Sequence, residues 1–105
     1  MKPLIVAEEA EHELAGSVAF YENRESGLGL EFERAAQRVL KKIASSPDRW
    51  PAGKYGTRHY LMQRFPFVIH YLDMPDRIWI VAFAHTSRKP NYWKTRTPLA
   101  REGVG

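Results

Sequence analysis

The sequence predicts an α+β domain with a helical hairpin packed on one face of a single sheet. Two observations lead to this fold class. Apolar residues recur with helical spacing across residues 8–46, and a glycine-containing break divides this region into two helices. Three strand-like apolar runs then lie between residues 57 and 85, joined by short connections that favour antiparallel neighbours. A short apolar run before the first helix completes the order: an N-terminal strand, two helices and three antiparallel strands.

The first strand is predicted at residues 3–7, and the helices follow directly. In the first helix, Glu8 to about Arg24, one apolar stripe is expected. It consists of Ala10, Leu14, Val18 and Tyr21. The second helix is expected to end near Ser46 because Pro47 cannot continue it. Its predicted core face consists of Phe32, Ala36, Val39, Leu40 and Ile43.

The three later strands are predicted at residues 57–63, 67–73 and 77–85. The last is apolar at every position from Ile78 to Ala84, which is typical of a central strand or of one covered on both faces. In the strand at 57–63, side chains alternate between the two faces. If Leu61 points at the helices, Arg58 and Arg64 lie together on the open face.

Length and composition narrow the protein class. The 105 residues, 44% of them hydrophobic, fit one domain spanning residues 1–105, with residues 98–105 expected to fray. No apolar run approaches the ~18 residues of a membrane span, and acids follow the N-terminal apolar run too soon for a secretory signal. There is no cysteine, so disulfides and thiolate chemistry are excluded, and a cytoplasmic location is expected.

Charge is distributed unevenly along the chain. Residues 1–33 hold eight glutamates against two basic residues, a net charge of −6, whereas residues 34–105 hold 14 basic and four acidic residues, a net charge of +10. Such a division indicates an anionic partner on one side of the molecule, although a simple basic domain would look similar. The basic residues are densest after the last strand, where "HTSRKPNYWKTR" follows from residue 85.

Three stretches carry a resemblance to a known family. They are "ASSPDRWP" at residues 44–51, "RHYLMQRFPFVIHY" at residues 58–71 and "IWIVAFAHTSRKPNYW" at residues 78–93. Together they resemble the RelE/ParE toxin superfamily, and in particular its ParE-like plasmid-stabilisation branch. The resemblance implies the toxin of a type II toxin–antitoxin system, neutralised by a cognate antitoxin. It also allows a homodimer or a heterotetramer with that antitoxin.

The resemblance leaves the target open. ParE-like members bind DNA gyrase, whereas RelE-like members are ribosome-dependent endoribonucleases that cleave mRNA. A third alternative is a non-toxic relic that acts only as a complex-forming module. Gyrase is preferred here because the loop before the strands has only one lysine, Lys54, and because the first helix is acidic. An acidic helix disfavours a neighbouring RNA backbone and tolerates a protein partner.

Two overlapping sets of site residues follow. The candidates for RNA cleavage are Arg58, Arg64, His85, Arg88 and Tyr92. They would supply phosphate contacts and acid–base groups. The candidates for target or antitoxin binding are Tyr21, Lys54, Arg88, Tyr92, Trp93, Lys94 and Arg96. They have the aromatic and arginine-rich composition of binding hot spots.

Each candidate also has a purely structural interpretation. His85 would bond a neighbouring loop at a strand end, and Tyr92 with Trp93 would anchor the tail on the core. The histidines lack metal-ligand spacing, so neither a metal nor another cofactor is expected.

Overall fold

The computed structural model describes residues 1–97, and residues 98–105, where fraying was predicted, lie outside this range. Four strands and two helices follow one another in the predicted order. They are β1 (Leu4–Val6), α1 (Glu8–Arg24), α2 (Leu28–Ser45), β2 (Arg58–Leu61), β3 (Phe67–Asp73) and β4 (Ile78–His85). Short 3₁₀ turns lie at Lys54–Gly56 and Lys94–Arg96. Neither helix of the described chain is long and apolar enough to cross a membrane.

The strands form one sheet in the order β1-β4-β3-β2. The pairs β2–β3 and β3–β4 are antiparallel, as predicted. β1 joins the sheet in parallel with β4, so the sheet as a whole is mixed. Parallel neighbours cannot be joined by a tight turn, and here both helices and the β2–β3 pair lie between β1 and β4 in the chain. The α+β class with both helices on one face is confirmed.

The helices contribute unequally to the core. All five residues of the predicted α2 face are buried, with Phe32, Ala36 and Ile43 at zero exposure. In α1 only Ala10 is fully buried, and the other predicted stripe residues are partly exposed. α1 is therefore held at the margin of the core. Its exposed Phe20 and partly exposed Tyr21 border open space beside the sheet.

The orientation considered for β2 is wrong. Leu61 is 61% exposed and points away from the helices, whereas Tyr60 and Met62 are in the core. Tyr60 pairs with the buried Ile69 and lies 4.6 Å from the ring of Trp50. Burying these larger side chains removes more apolar area from water than burying one leucine would, and this sets the strand's register.

The second face of the sheet is covered by the segment after β4. This segment, residues 86–97, is called the tail here. Trp93 is only 3% exposed and packs with Val81, Ala82 and Ala84 of β4 in a second small core. The pairing register shifts here, because His70 pairs with Ala82 and Tyr71 with Ile80, which leaves Val81 of β4 as an extra residue. Both faces of β4 are therefore covered, which explains its continuous apolar sequence.

The turn between the helices depends on close backbone approach. Gly27 adopts φ 89°, which favours glycine, and its N–H and that of Gly29 donate to the Glu22 carboxylate at 3.0–3.1 Å. Glu22 thus satisfies free N–H groups at the start of α2 from the end of α1. A Cβ on Gly29 would lie 2.5 Å from the carbonyl oxygen of Val18.

We expect Gly29→Ala to lower the free energy of unfolding by about 1–3 kcal/mol, because the helices must separate to admit the methyl group. Gly16→Ala is the matched control, since a Cβ there meets nothing within 4 Å. It should raise the free energy by about 1 kcal/mol through helix propensity. Urea denaturation measures both changes, and equal effects of the two substitutions would contradict the close-approach argument.

Candidate functional site

One carboxylate organises the region where the basic tail meets the sheet. Glu13 of α1 accepts hydrogen bonds from Arg96 Nη1 at 2.9 Å and Nη2 at 3.3 Å, and from the hydroxyl of Tyr92. It also accepts the backbone N–H of Phe83 at 3.1 Å. The Glu13 and Arg96 side chains are only 16% and 18% exposed. A single residue therefore joins α1, β4 and the tail.

This cluster also closes part of the edge of β4. β1 pairs with β4 only as far as Ile80, so the later backbone groups on that side have no neighbouring strand. Glu13 bonds the N–H of Phe83, and Arg96 Nη1 donates to the carbonyl oxygen of Val81 at 3.1 Å. Side chains thus replace the missing strand at these two residues, which satisfies polar groups that would otherwise be unpaired.

Tyr92 is fixed as a hydrogen-bond donor. Burial and the bond to Glu13 raise the pKa of the Tyr92 hydroxyl well above its ordinary value. The phenol is therefore protonated at neutral pH, and its O–H group donates to Glu13. The guanidinium of Arg88 lies 3.9 Å from the centre of the Tyr92 ring, so the tail positions Arg88 through this aromatic surface.

His85 bonds its own loop. Its Nδ1 accepts the backbone N–H of Ser87 at 3.0 Å and lies 2.7 Å from the Ser87 hydroxyl. Its ring lies 5.2 Å from that of Phe67, on the helix-facing side of the sheet. The strand-end role expected as the structural interpretation of His85 is thus present, and Nε2 is the ring nitrogen left for other contacts.

Two concavities flank His85 and Arg88. The first, called the α1 groove, has a volume of about 350 Å³ and separates α1 from the end of β4. It is lined by Glu13, Gly16, Ser17, Phe20, Tyr21, Phe67, Phe83, His85, Ser87 and Arg88. The second, called the tail pocket, has a volume of about 280 Å³. It is lined by Val68, His70, Ala84, His85, Thr86, Arg88, Lys89, Pro90, Asn91, Tyr92 and Trp93.

His70 lies beneath the tail at the floor of the tail pocket. Its ring is 4.3 Å from that of Trp93 and 6.4 Å from that of His59, its cross-strand partner. Burial, with a smaller effect from His59, lowers the pKa of His70 to about 4. The ring is therefore neutral at physiological pH, which suits its stacking on Trp93.

Two predicted cleavage candidates lie apart from this region. Arg58 donates to the carbonyl oxygen of Trp50 at 2.7 Å and pairs with Tyr71, whereas His85 pairs with Phe67. Their partners Tyr71 and Phe67 are four positions apart on β3, about 13 Å along the strand. Arg64 forms an exposed ion pair with Glu31 at 3.2 Å. Both arginines are thus engaged away from His85.

The predicted binding residues are also divided. Tyr21 and Arg88 line the α1 groove, and Tyr92 lines the tail pocket. Trp93 and Arg96 hold the tail in place, and Lys94 is exposed beside them. Lys54 is exposed in the 3₁₀ turn before β2, where its neighbour Tyr55 lies 6.0 Å from Trp93.

Sequence reasoning missed Glu13 and His70. Glu13 was one of four glutamates in the first half of α1, and only its helical position distinguishes it. It lies three residues after the buried Ala10 and one before Leu14, on the side of α1 that turns toward the sheet. His70 alternates with the buried Ile69 and Tyr71, so its side chain had to lie on the other face of the sheet.

No protein-family model and no curated protein matches the sequence. A solved structure does: a chain described as "Chromosomal ParDE TA system from P. aeruginosa" superposes with a TM-score of 0.70 at 18% sequence identity. The match covers 83% of this chain and 98% of that one. At this identity the likeness shows the fold, and the ParE-like fold implied by the sequence resemblance is confirmed.

We expect Glu13→Gln to loosen the tail, because an amide cannot replace the charge that binds Arg96 or accept on both of its terminal atoms. The free energy of unfolding should fall by about 2 kcal/mol. Hydrogen exchange should show faster exchange of the Phe83 amide. Glu11→Gln, an exposed change on the same helix, is the control and should alter neither quantity.

A pH dependence follows from His70. Its folded-state pKa of about 4 lies below the ordinary 6.5, so the unfolded chain binds more protons between these values. The free energy of unfolding should therefore fall as pH decreases from 6.5 to 4. We expect His70 to contribute about 2 kcal/mol of this fall, less than the full shift would give, because its ring is partly exposed.

Urea denaturation at pH 7 and pH 4.5 measures this contribution. His70→Phe, which keeps an aromatic ring against Trp93, should make the pH dependence shallower. An identical pH dependence for His70→Phe and the unmodified protein would contradict the assignment.

Proposed function

We propose that this protein is the toxin of a toxin–antitoxin system and inhibits growth by binding a macromolecular target, with DNA gyrase the foremost candidate. The sequence resemblance to ParE-like toxins and the fold shared with a chain of a ParDE TA system support the toxin assignment. The preference for binding over cleavage comes from the arrangement of the candidate residues. A cytoplasmic location and a role in plasmid stabilisation would accompany this function.

The observation that carries the proposal is the dispersal of the cleavage candidates. General acid–base cleavage requires its groups within hydrogen-bond reach of one reacting phosphate. Arg58 and Arg64 are bound elsewhere, to Trp50 and Glu31. The Tyr92 hydroxyl keeps its proton and donates a hydrogen bond to Glu13, so it is a poor proton relay. This leaves His85 and Arg88 beside the tail, a pair suited to contact.

The surface around that pair has the character of a protein-binding site. Phe20 is 55% exposed on the wall of the α1 groove, and Arg88, Lys89 and Lys94 are exposed on the tail. Exposed aromatic and arginine side chains on a rigid frame are typical of interaction hot spots. The same cations would attract an acidic antitoxin, which supports a neutralising partner on this side of the molecule.

One observation favours mRNA cleavage as a second candidate. His85, Arg88 and Tyr92 all line the tail pocket, together with Lys89 and Asn91. A histidine beside cations and an aromatic ring is the kind of group that binds a phosphate and stacks on a base. In this alternative His85 would be the acid or base.

Purified protein and the variants His85→Ala and Arg88→Glu distinguish the candidates. If gyrase is the target, the unmodified protein inhibits supercoiling by purified gyrase. Arg88→Glu should weaken this inhibition at least about tenfold, the effect of losing one hot-spot contact. His85→Ala should weaken it less than Arg88→Glu does, because His85 is half-buried and bonded to Ser87. Arg38→Glu, an exposed charge reversal on α2, is the matched control and should act like the unmodified protein.

The alternatives give different outcomes in the same experiment. Ribosome-dependent mRNA breaks that disappear with His85→Ala, with gyrase unaffected, would support the cleaving toxin. A chain that neither inhibits gyrase, cuts mRNA nor slows growth would overturn the toxin proposal and support the non-toxic relic.

A further inference from the structure

The outer edge of β4 is left open near its C-terminal end. The Thr86 N–H donates to the carbonyl oxygen of Pro66 at 2.9 Å, so these two residues form a hydrogen-bonded pair of the β3–β4 ladder. Because such pairs alternate in an antiparallel ladder, the adjacent pair of Phe67 and His85 turns its backbone groups away from each other. The N–H and C=O groups of His85, and by the same alternation those of Phe83, therefore point to the outer edge.

Two of these four backbone groups are already bonded. The N–H of Phe83 donates to Glu13, and the C=O of His85 accepts the Arg88 N–H at 3.0 Å. The C=O of Phe83 and the N–H of His85 have no hydrogen-bond partner within residues 1–97. They flank Ala84 on the edge that faces the α1 groove.

The two free groups fit a strand of one direction only. In a parallel ladder, a single residue donates its N–H to one carbonyl and accepts the N–H two residues farther along the neighbouring strand. Phe83 C=O and His85 N–H have this spacing. An antiparallel partner would need both groups of Phe83 or both groups of His85, and each residue has one group occupied.

The surroundings determine the side chains of such a segment. Its central residue would lie beside Ala84, which lines the tail pocket with Arg88. Within residues 1–97 no carboxylate lies within ion-pair distance of Arg88, so an acidic side chain suits the central position. The residues before and after it would face the α1 groove, where Phe20, Tyr21 and Phe67 favour apolar side chains.

We propose that an extended segment with an apolar–acidic–apolar sequence, supplied by the antitoxin, adds to the edge of β4 at Phe83–His85 and runs parallel to it. The source of the segment rests on the function proposed above, whereas its direction and chemistry rest on the edge itself. Main-chain hydrogen bonds would provide affinity, and the groove and Arg88 would provide specificity.

The peptide acetyl-Ser-Val-Asp-Val-Ser-amide is a direct probe, titrated to millimolar concentration into the ¹⁵N-labelled full chain. The His85 amide resonance should shift saturably, while that of Phe83, already bonded to Glu13, should shift less. Methylation of the Asp nitrogen removes the donor to Phe83 C=O and should weaken binding about tenfold. Methylation of the second Val nitrogen, which points away from β4, should have little effect.

A pair of substitutions on α1 tests the groove. A side chain at Gly16 has free space and would project from the groove wall, so Gly16→Leu should fill the groove without disturbing the fold. Ala19→Leu is the matched control on the same helix, exposed and outside the groove lining. Gly16→Leu should abolish the peptide-induced shift, and Ala19→Leu should preserve it.

Growth and binding assays test whether the antitoxin uses the same edge of β4 as the peptide. Co-expressed antitoxin should neutralise the unmodified chain and Ala19→Leu, and in a pull-down it should bind these two chains equally but bind Gly16→Leu at least about tenfold more weakly. A chain that is not toxic would refute the proposed function and leave the peptide result standing. Normal toxicity with no His85 shift at millimolar peptide, or with equal effects of the two methylations, would refute the edge proposal. Concentration-dependent protection of the His85 amide in the free chain would also refute it, in favour of a second copy.

Discussion

The hydrogen bonds and ion pair of the Glu13 carboxylate are the interactions on which the candidate site depends. It binds a cation, a phenol and a backbone N–H from three separate parts of the chain within one largely buried cluster. A buried carboxylate is stable only when its charge and lone pairs are satisfied, and here Arg96, Tyr92 and Phe83 satisfy them together. The tail is thereby fixed across the second face of the sheet, and the basic residues on it gain defined positions.

This arrangement gives the two ends of β4 different properties. At its start β4 is covered by β1 and at its middle by the side chains of Glu13 and Arg96, so ladder groups there are satisfied internally. The backbone groups that remain free, the C=O of Phe83 and the N–H of His85, lie at the C-terminal end of this edge. They face the α1 groove, which has apolar walls and Arg88 at its rim. Edge strands are usually protected against association. Here protection stops at the point where the exposed aromatic and basic side chains begin, which is where a specific partner would be recognised.

The sequence was sufficient for the fold because local patterns and global packing agree. Three patterns are each compatible with one local structure: the apolar stripe of α2, the continuous apolar run of β4, and the prolines and glycines that end the helices. The face of β2 was ambiguous, since Leu61 alternates with Tyr60 and Met62 and both faces offer apolar side chains. The site was less predictable. Residue types nominate His85, Arg88 and Tyr92 as candidates. Only tertiary structure shows that Arg58 and Arg64 are engaged elsewhere and that Glu13, at a sequence distance of 79 residues from Tyr92, holds the tail.

The position of β1 next to β4 has a consequence for synthesis in the cell. The first strand completes its pairing only with residues 78–80, and Glu13 binds only residues that appear after position 82. At typical elongation rates, about 5–20 residues per second, the N-terminal segment waits several seconds for its partners. The candidate site is thus assembled by the part of the chain that is made last, and ribosome-bound fragments that end before residue 83 lack it. For the function proposed above, this order would delay target binding until synthesis is nearly complete.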